Sequence, residues 1–355
     1  MVCCIARLSE SSSKLTGSGV SVLKASSTDG CATGRGLAAD GLPNRARLVE
    51  RKTIAVYLEV ARRRMHKILP TARTDIRDSA AGPGSFVPRA LVLDLDGTTI
   101  DHDQRLNPRV RDAVRAAARH VPVVVATGRM FRSGLPWARQ LEVIEPLVCY
   151  QGAMVRGMPG PDGSPAERIF EQPLLAAPAL HALHVARAHG WHYQAYQDEE
   201  LLCEQDRPEA WLYSRISGVP FRIVPDLEPL LRHGTTKAAC VFEDLANVER
   251  ALAIMSSELA GAARVTRSNP EFVEMLDKDV SKATGCEIVC ERLGCSLTDT
   301  LAIGDAPNDV EMLAAAGYAV AISTSRPEVL AVVDATCAPP EDAGVADVLE
   351  VFGLA

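Results

Sequence analysis

Two aspartates one residue apart, Asp94 and Asp96, stand at the end of the apolar run Ala90-Leu91-Val92-Leu93, and Gly97, Thr98 and Thr99 follow them. A short apolar run bounded by Pro88 and Gly97 reads as a buried strand of a parallel sheet. Open α/β sheets bind ligands beyond the carboxyl ends of such strands. Side chains alternate along extended backbone, so Asp94 and Asp96 point to one side and Leu95 to the other. One carboxylate can then attack a phosphorus atom while its neighbour protonates the leaving oxygen and later activates water, splitting phosphoester hydrolysis into formation and breakdown of an aspartyl-phosphate. Gly97 lets the backbone turn tightly beside the phosphate. Asp-x-Asp-Gly also makes a good turn, and acidic loops with glycine also hold calcium. No glutamate stands at the twelfth position counted from Asp94 or Asp96, where a calcium loop needs its bidentate ligand.

Further apolar runs end in groups that suit the same chemistry. Val121 to Ala126 leads into Thr127-Gly128-Arg129, a hydroxyl, a flexible backbone and a cation that fit a phosphate oxygen, although a helix-opening turn has the same composition. Thr300 to Ile303 leads into Gly304-Asp305-Ala306-Pro307-Asn308-Asp309, ahead of an amphipathic helix expected from Val310. Two carboxylates there can hold a hard cation. Magnesium prefers oxygen ligands and takes one or two protein carboxylates besides substrate phosphate. Lys282 precedes a helical pattern and can neutralise the nucleophile and the transferred group.

The order Asp-x-Asp-Gly-Thr, Thr-Gly-Arg, Lys, Gly-Asp-x-x-Asn-Asp is the pattern by which the sequence resembles the haloacid dehalogenase superfamily of phosphatases, over roughly residues 86–355. It is most similar to the Cof-type, type IIB branch. The resemblance implies a Rossmann-like parallel-sheet core carrying an inserted α+β cap domain of type C2B. It implies Asp94 as nucleophile, Asp96 as general acid/base, Thr127 with Gly128 at the phosphate, Lys282 as the charge-neutralising lysine and Asn308 near the phosphate. Magnesium would be held by Asp94, the backbone carbonyl of Asp96 and Asp305, with Asp309 ligating the ion or supporting its waters. Three positions depart from the family pattern: Gln151 before Gly152, where asparagine is frequent, Thr324 where asparagine is common, and Leu330 where lysine is frequent.

Motif spacing carries the architecture. About thirty residues separate Asp96 from Thr127, the length of a loop and one helix in a βαβ unit. About 125 residues separate Arg156 from Lys282, which is inserted-domain length. The expected division is an N-terminal extension over 1–85, the core over 86–157 and 273–355, and the cap over 158–272. Within the insertion, Trp191–Tyr196, Lys237–Phe242, Ala263–Thr266 and Phe272–Leu276 read as strands, and 174–189, 207–217 and 244–260 as helices. A cap excludes water and supplies side chains that select the leaving group. His181, His184, His189 and His192 raise the possibility of zinc but lack an ordered acidic or cysteine partner. Trp191, Tyr193 and Tyr196 fit sheet packing better than stacking on a ligand. Arg156, Arg207 and Arg215 can grip a second anionic group or stay solvated.

The chain has 355 residues, 47% of them hydrophobic, enough for two cores, and no apolar run long enough to cross a bilayer. Residues 1–89 carry a formal charge of about +8, leaving about −15 on the remainder, which argues against nucleic acid as a partner. Ten scattered cysteines without a Cys-x-x-Cys pair fit reduced thiols, and Cys286, Cys290 and Cys295 give only a weak metal signal. The serine-rich, acid-poor beginning and the basic, helix-patterned stretch Arg45–Lys67 read as a transit peptide or disordered extension, with the chloroplast preferred over mitochondrion or cytoplasm. The expectation is a magnesium-dependent phosphatase of a small phosphorylated metabolite, sugar phosphates first and flavin-precursor phosphates or pyridoxal phosphate next. Alternatives are a hexose phosphomutase of the same architecture and a non-enzymatic phospho-acceptor signalling domain.

Overall fold

The structure is a computed structural model that describes residues 74–77 and 84–355. The transit-peptide reading and the helix expected over Arg45–Lys67 lie outside the described residues. In chain order the strands are β1 (Ala90–Leu93), β2 (Val123–Val125), β3 (Leu147–Cys149), β4 (Met154–Arg156), β5 (Arg168–Glu171), β6 (His192–Gln197), β7 (Glu200–Cys203), β8 (Phe221–Ile223), β9 (Lys237–Val241), β10 (Ala263–Thr266), β11 (Phe272–Asp277), β12 (Thr300–Gly304), β13 (Tyr318–Ile322) and β14 (Ala335–Cys337).

Five of them form a parallel sheet in the order β14-β13-β12-β1-β2. Register pairs Leu93 with Ile303 on one side and with Val125 on the other, which brings the carboxyl ends of β1, β12 and β2 level. β1, β2 and β12 are buried throughout, because helices cover both faces and each face needs apolar side chains. The apolar side chains on the two faces enter separate hydrophobic clusters, Leu91, Leu93, Leu301 and Ile303 in one and Val92, Val124 and Ala302 in the other. The short segment Thr74–Arg77 belongs with this core: Ile76 is buried and its N–H donates to Thr336 at 2.7 Å. An extension ending at residue 85 therefore leaves out a piece of chain whose apolar side chain is packed against β14.

A second, six-stranded sheet runs β10-β11-β9-β6-β7-β8 and is antiparallel except where β7 meets β8. The helices Ala176–His189 and Val248–Glu258 pack their apolar side chains with those of this sheet. β3, β4 and β5 form a small antiparallel sheet between the two, tied to the parallel sheet by a bridge from Ala126 to Val148. β11 pairs with β9 and β10, so the boundary expected after residue 272 cuts through an interior strand of the second layer. The core next resumes at Lys282, the first residue of the helix Lys282–Arg292.

Candidate active site

Asp94 terminates β1 with its N–H bonded to the Ile303 carbonyl, so its side chain emerges where β1 and β12 end together. From the loop after β12, Asp305 and Asp309 reach the same point, and carboxylate oxygens of all three lie within 4.8 Å of one another. Lys282 joins them. Its ammonium donates to Asp94 and, at 2.7 Å, to Asp309 Oδ1. Asp309 Oδ2 accepts the N–H groups of Asp305 and Ala306 at 3.1 and 3.0 Å, so this carboxylate shapes its own loop as well as holding the lysine. Thr98 Oγ1 donates to Asp305 Oδ1 at 2.9 Å, and Thr99 Oγ1 donates to the Asp94 carbonyl at 2.6 Å. Gly97 has φ +83°, and a Cβ there would stand 2.6 Å from Asp305 Oδ2.

Three carboxylates face one ammonium in a buried place, and the imbalance is visible in their proton affinities. Burial raises the Asp94 carboxyl well above its ordinary range, and the charges of Asp309 and Asp305 add to this against the pull of Lys282. Burial and Asp309 push Asp305 up to about 6. Burial opposes the Lys282 cation, but Asp309 and Asp94 outweigh it and hold its ammonium protonated beyond the usual lysine range. Hard oxygen donors carrying more negative charge than one lysine neutralises are the chemistry that suits a magnesium ion.

Asp96 stands apart from this cluster. Both of its oxygens accept from Arg129, at 2.8 Å from Nε and 2.6 Å from one terminal nitrogen. The other terminal nitrogen donates to Ser133 Oγ at 3.1 Å and to the Ile216 carbonyl at 3.2 Å, at the end of the helix Pro208–Ser217 in the second layer. Arg129, expected at a phosphate oxygen, is instead paired through two nitrogens with the Asp96 carboxylate. Thr127 is buried at the end of β2, its hydroxyl accepting the Arg129 N–H at 3.1 Å. A Cβ on Gly128 would lie 2.7 Å from Gln151 Nε2, so this backbone comes closer than a side chain allows.

A cleft beside Asp96 is lined by Gly128 and Arg129 from the core and, from the second layer, by the polar Lys237, Ser268, Asn269 and Glu274 and the apolar Tyr213, Ile216 and Phe272. Lys237 and Glu274 are buried and paired at 2.6 Å, and Lys237 Nζ also donates to the Gly128 carbonyl at 2.9 Å. Glu274 accepts from Gln151 Nε2 at 2.7 Å, and Gln151 Oε1 accepts from Asn308 Nδ2 at 2.6 Å. Neither Lys237 nor Glu274 stood out as a motif. The available signal was a lone charge in each of two otherwise apolar strands, of opposite sign, Lys-Ala-Ala-Cys-Val and Phe-Val-Glu-Met-Leu.

The other candidates have ordinary explanations. His181 and His184 pair with Glu258 and Glu228 at 2.9 Å, His189 stacks on Trp191, and His192 contacts Gln194. Tyr193 donates to the Ala179 carbonyl, and Tyr196 packs edge-on to Tyr150 and Tyr213. Arg156 lies over the Phe131 ring, Arg207 pairs with Glu209, and Arg215 is exposed on its helix. Cys286 and Cys290 are buried in the core, where burial raises both thiols and disfavours the thiolate a metal needs. Among the described residues the only cluster of three or more potential metal ligands is Asp94, Asp305 and Asp309.

Residues 91–349 match the sequence model of the haloacid dehalogenase-like hydrolases. The chain is 24% identical to a phosphoglycolate phosphatase of Archaeoglobus fulgidus, over 76% of this chain and 99% of that protein. It is 28% identical to an HMP-PP phosphatase of Serratia proteamaculans, over 68% of this chain and 85% of the relative. Among solved structures, one from Thermotoga maritima superposes with a TM-score of 0.62 at 28% identity, covering 74% of this chain and 97% of that one.

Proposed function

The chain belongs to the haloacid dehalogenase-like hydrolases, and from that premise we propose that it is a magnesium-dependent phosphatase of a small phosphorylated metabolite, acting through an aspartyl-phosphate on Asp94. The observation that carries this reading is the convergence of buried Asp94, Lys282 and Asp309 with partly buried Asp305 near the ends of adjacent parallel strands. Asp94 attacks phosphorus, and Lys282 offsets the charge of the nucleophile and of the incoming phosphoryl oxygens. Thr127 and the backbone at Gly128 receive the phosphate. Asp96 gives a proton to the leaving oxygen and takes one from water in the second step. Arg129 holds both Asp96 oxygens and so fixes the direction of the carboxyl, while it leaves the second lone pair of each oxygen for proton transfer. Asp94, the Asp96 carbonyl and Asp305 would hold magnesium, with Asp309 behind them. The ion supplies charge for the phosphoryl oxygens and aligns them with the nucleophile.

Among leaving groups this reading takes sugar phosphates first, and the cleft beside Asp96 offers them the polar Ser268 and Asn269 together with the apolar Tyr213, Ile216 and Phe272. In the same reading the second layer is a cap running from Leu174 to Asp277, and the segment before Thr74 directs the chain to the chloroplast. Among the described residues no helix is long and apolar enough to cross a membrane. The test is phosphate release by residues 74–355 from a panel of sugar, flavin-precursor, pyridoxal and aryl phosphates, with magnesium and with excess chelator. Magnesium-dependent release, highest on a sugar phosphate, is expected. No release from any member, or full release in chelator, overturns the reading.

A further inference from the structure

Four side chains from four separate segments form one line of hydrogen bonds: Lys237 on β9, Glu274 on β11, Gln151 after β3 and Asn308 in the acidic loop. The line has a direction. Lys237 has donors only, so Glu274 meets it as a carboxylate, and a carboxylate has acceptors only. Burial opposes the Lys237 cation, but Glu274 and Tyr213 together outweigh it and keep the ammonium protonated. Gln151 must turn its NH2 toward Glu274, which leaves its oxygen for Asn308, and Asn308 must answer with its own NH2. The amide orientations thus follow from the charge at the start of the line, independently of how oxygen and nitrogen are distinguished at either amide. Gln151 has little freedom to evade this: it follows Tyr150, both residues have positive φ, and its side chain is buried. Asn308 has no second constraint. Among the described residues no group donates to its buried Oδ1, so its contact with Gln151 is what orients the amide.

We propose that Glu274 and Gln151 are positioning residues: the buried carboxylate of the second layer sets, through Gln151, the orientation of the Asn308 amide in the loop that carries Asp305 and Asp309. The inference rests on the phosphatase reading and deepens it, because it makes the catalytic loop correct only when β11 is seated against the core. It also explains a buried ion pair that takes no part in the phosphoryl transfer.

The test is a double-mutant cycle in kcat and KM on magnesium-loaded protein with an aryl phosphate, combining Glu274→Gln with Asn308→Ala. In Glu274→Gln the amide oxygen must stay with the Lys237 donors, so its NH2 faces Gln151 and the line is reversed down to Asn308. A fall of about tenfold in kcat is expected for Glu274→Gln alone, with KM little changed, and no further fall when it is added to Asn308→Ala, because the residue through which it acts is already gone. Gln151→Met carries the same expectation and keeps the charge pair intact, so it decides the matter if Glu274→Gln does not fold. Losses that multiply in the double variants, or a full-rate Gln151→Met, overturn the proposal. An inactive wild type would instead count against the phosphatase reading.

Discussion

At the scale of single residues, the site is a contest between burial and charge. Asp94 and Asp96 sit two positions apart, yet the structure gives them different partners, Lys282 for one and Arg129 for the other. Asp94→Asn is expected to abolish both turnover and phosphoenzyme, because an amide cannot serve as the nucleophile. Asp96→Asn should lower turnover by about 10²–10⁴-fold while an activated aryl phosphate still yields some trapped phosphoenzyme. Persisting activity in Asp94→Asn would sink the mechanism. Asp305 gives a test that needs no substrate. Its carboxyl is raised from 3.8 to about 6, so the folded state binds this proton more tightly than the unfolded chain, and ionising it at neutral pH costs stability. In metal-stripped protein, Asp305→Asn should therefore raise Tm at neutral pH, and the difference should shrink as pH falls through about 6 toward 4. Magnesium should reverse the order, stabilising the wild type and not the variant. Thermal melts with and without magnesium across that range read both effects, and a destabilised apo variant at neutral pH would contradict them.

At the scale of elements, the strands of the parallel sheet were legible because a strand buried on both faces must be apolar along its length. Their ends were legible because glycine, acid and threonine replace valine and leucine there. Within the second layer, helices and strands with strong periodicity came through to within a few residues: Ala263–Thr266 matches its expected span, and the expected 174–189 helix is Ala176–His189. Three other short elements did not. β7 and β8 and the helix Glu228–Leu231 span three or four residues each, too few for a period to repeat, and their stability comes from pairing with distant chain. Contacts across the sequence were also beyond reach, which is why Arg129 was read as a phosphate ligand and Lys237 and Glu274 were passed over. The helix that begins at Lys282 is a case where a local rule has a functional result. Ser281 Oγ accepts the Thr284 N–H and Thr284 Oγ1 accepts the Ser281 N–H, a reciprocal cap that fixes the first turn and with it the direction in which Lys282 leaves the helix. Ser281→Ala should cost about 1 kcal/mol in urea unfolding and lower kcat without altering magnesium dependence. Unchanged stability would show that the turn is held by tertiary packing instead.

At the scale of the whole molecule, core and second layer are joined through polar side chains and a shared apolar cluster. Arg129 reaches the Ile216 carbonyl while holding Asp96, Lys237 reaches the Gly128 carbonyl, and Gln172 donates to Asp277 Oδ1 at 2.7 Å where the chain leaves and re-enters the core. Tyr150 on the core side packs against Tyr196 on the other. If the core side of this arrangement holds phosphate and metal as proposed, discrimination between leaving groups falls to the residues above Asp96, where buried polar contacts distinguish analogues far better than an apolar wall. Replacing residues 174–277 by a short Gly-Ser linker should remove that discrimination while leaving Asp94, Asp96, Lys282, Asp305 and Asp309 on their own elements. The cut must fall after β11 rather than before it, since a strand stripped of β9 and β10 would expose two unpaired edges. The shortened protein, once its secondary structure is confirmed by circular dichroism, should hydrolyse small aryl phosphates at a reduced rate and show nearly equal kcat/KM across metabolites that the full chain separates. Retention of the full chain's rank order and ratios would place specificity in the core, and with it the chemistry that distinguishes one phosphorylated metabolite from another.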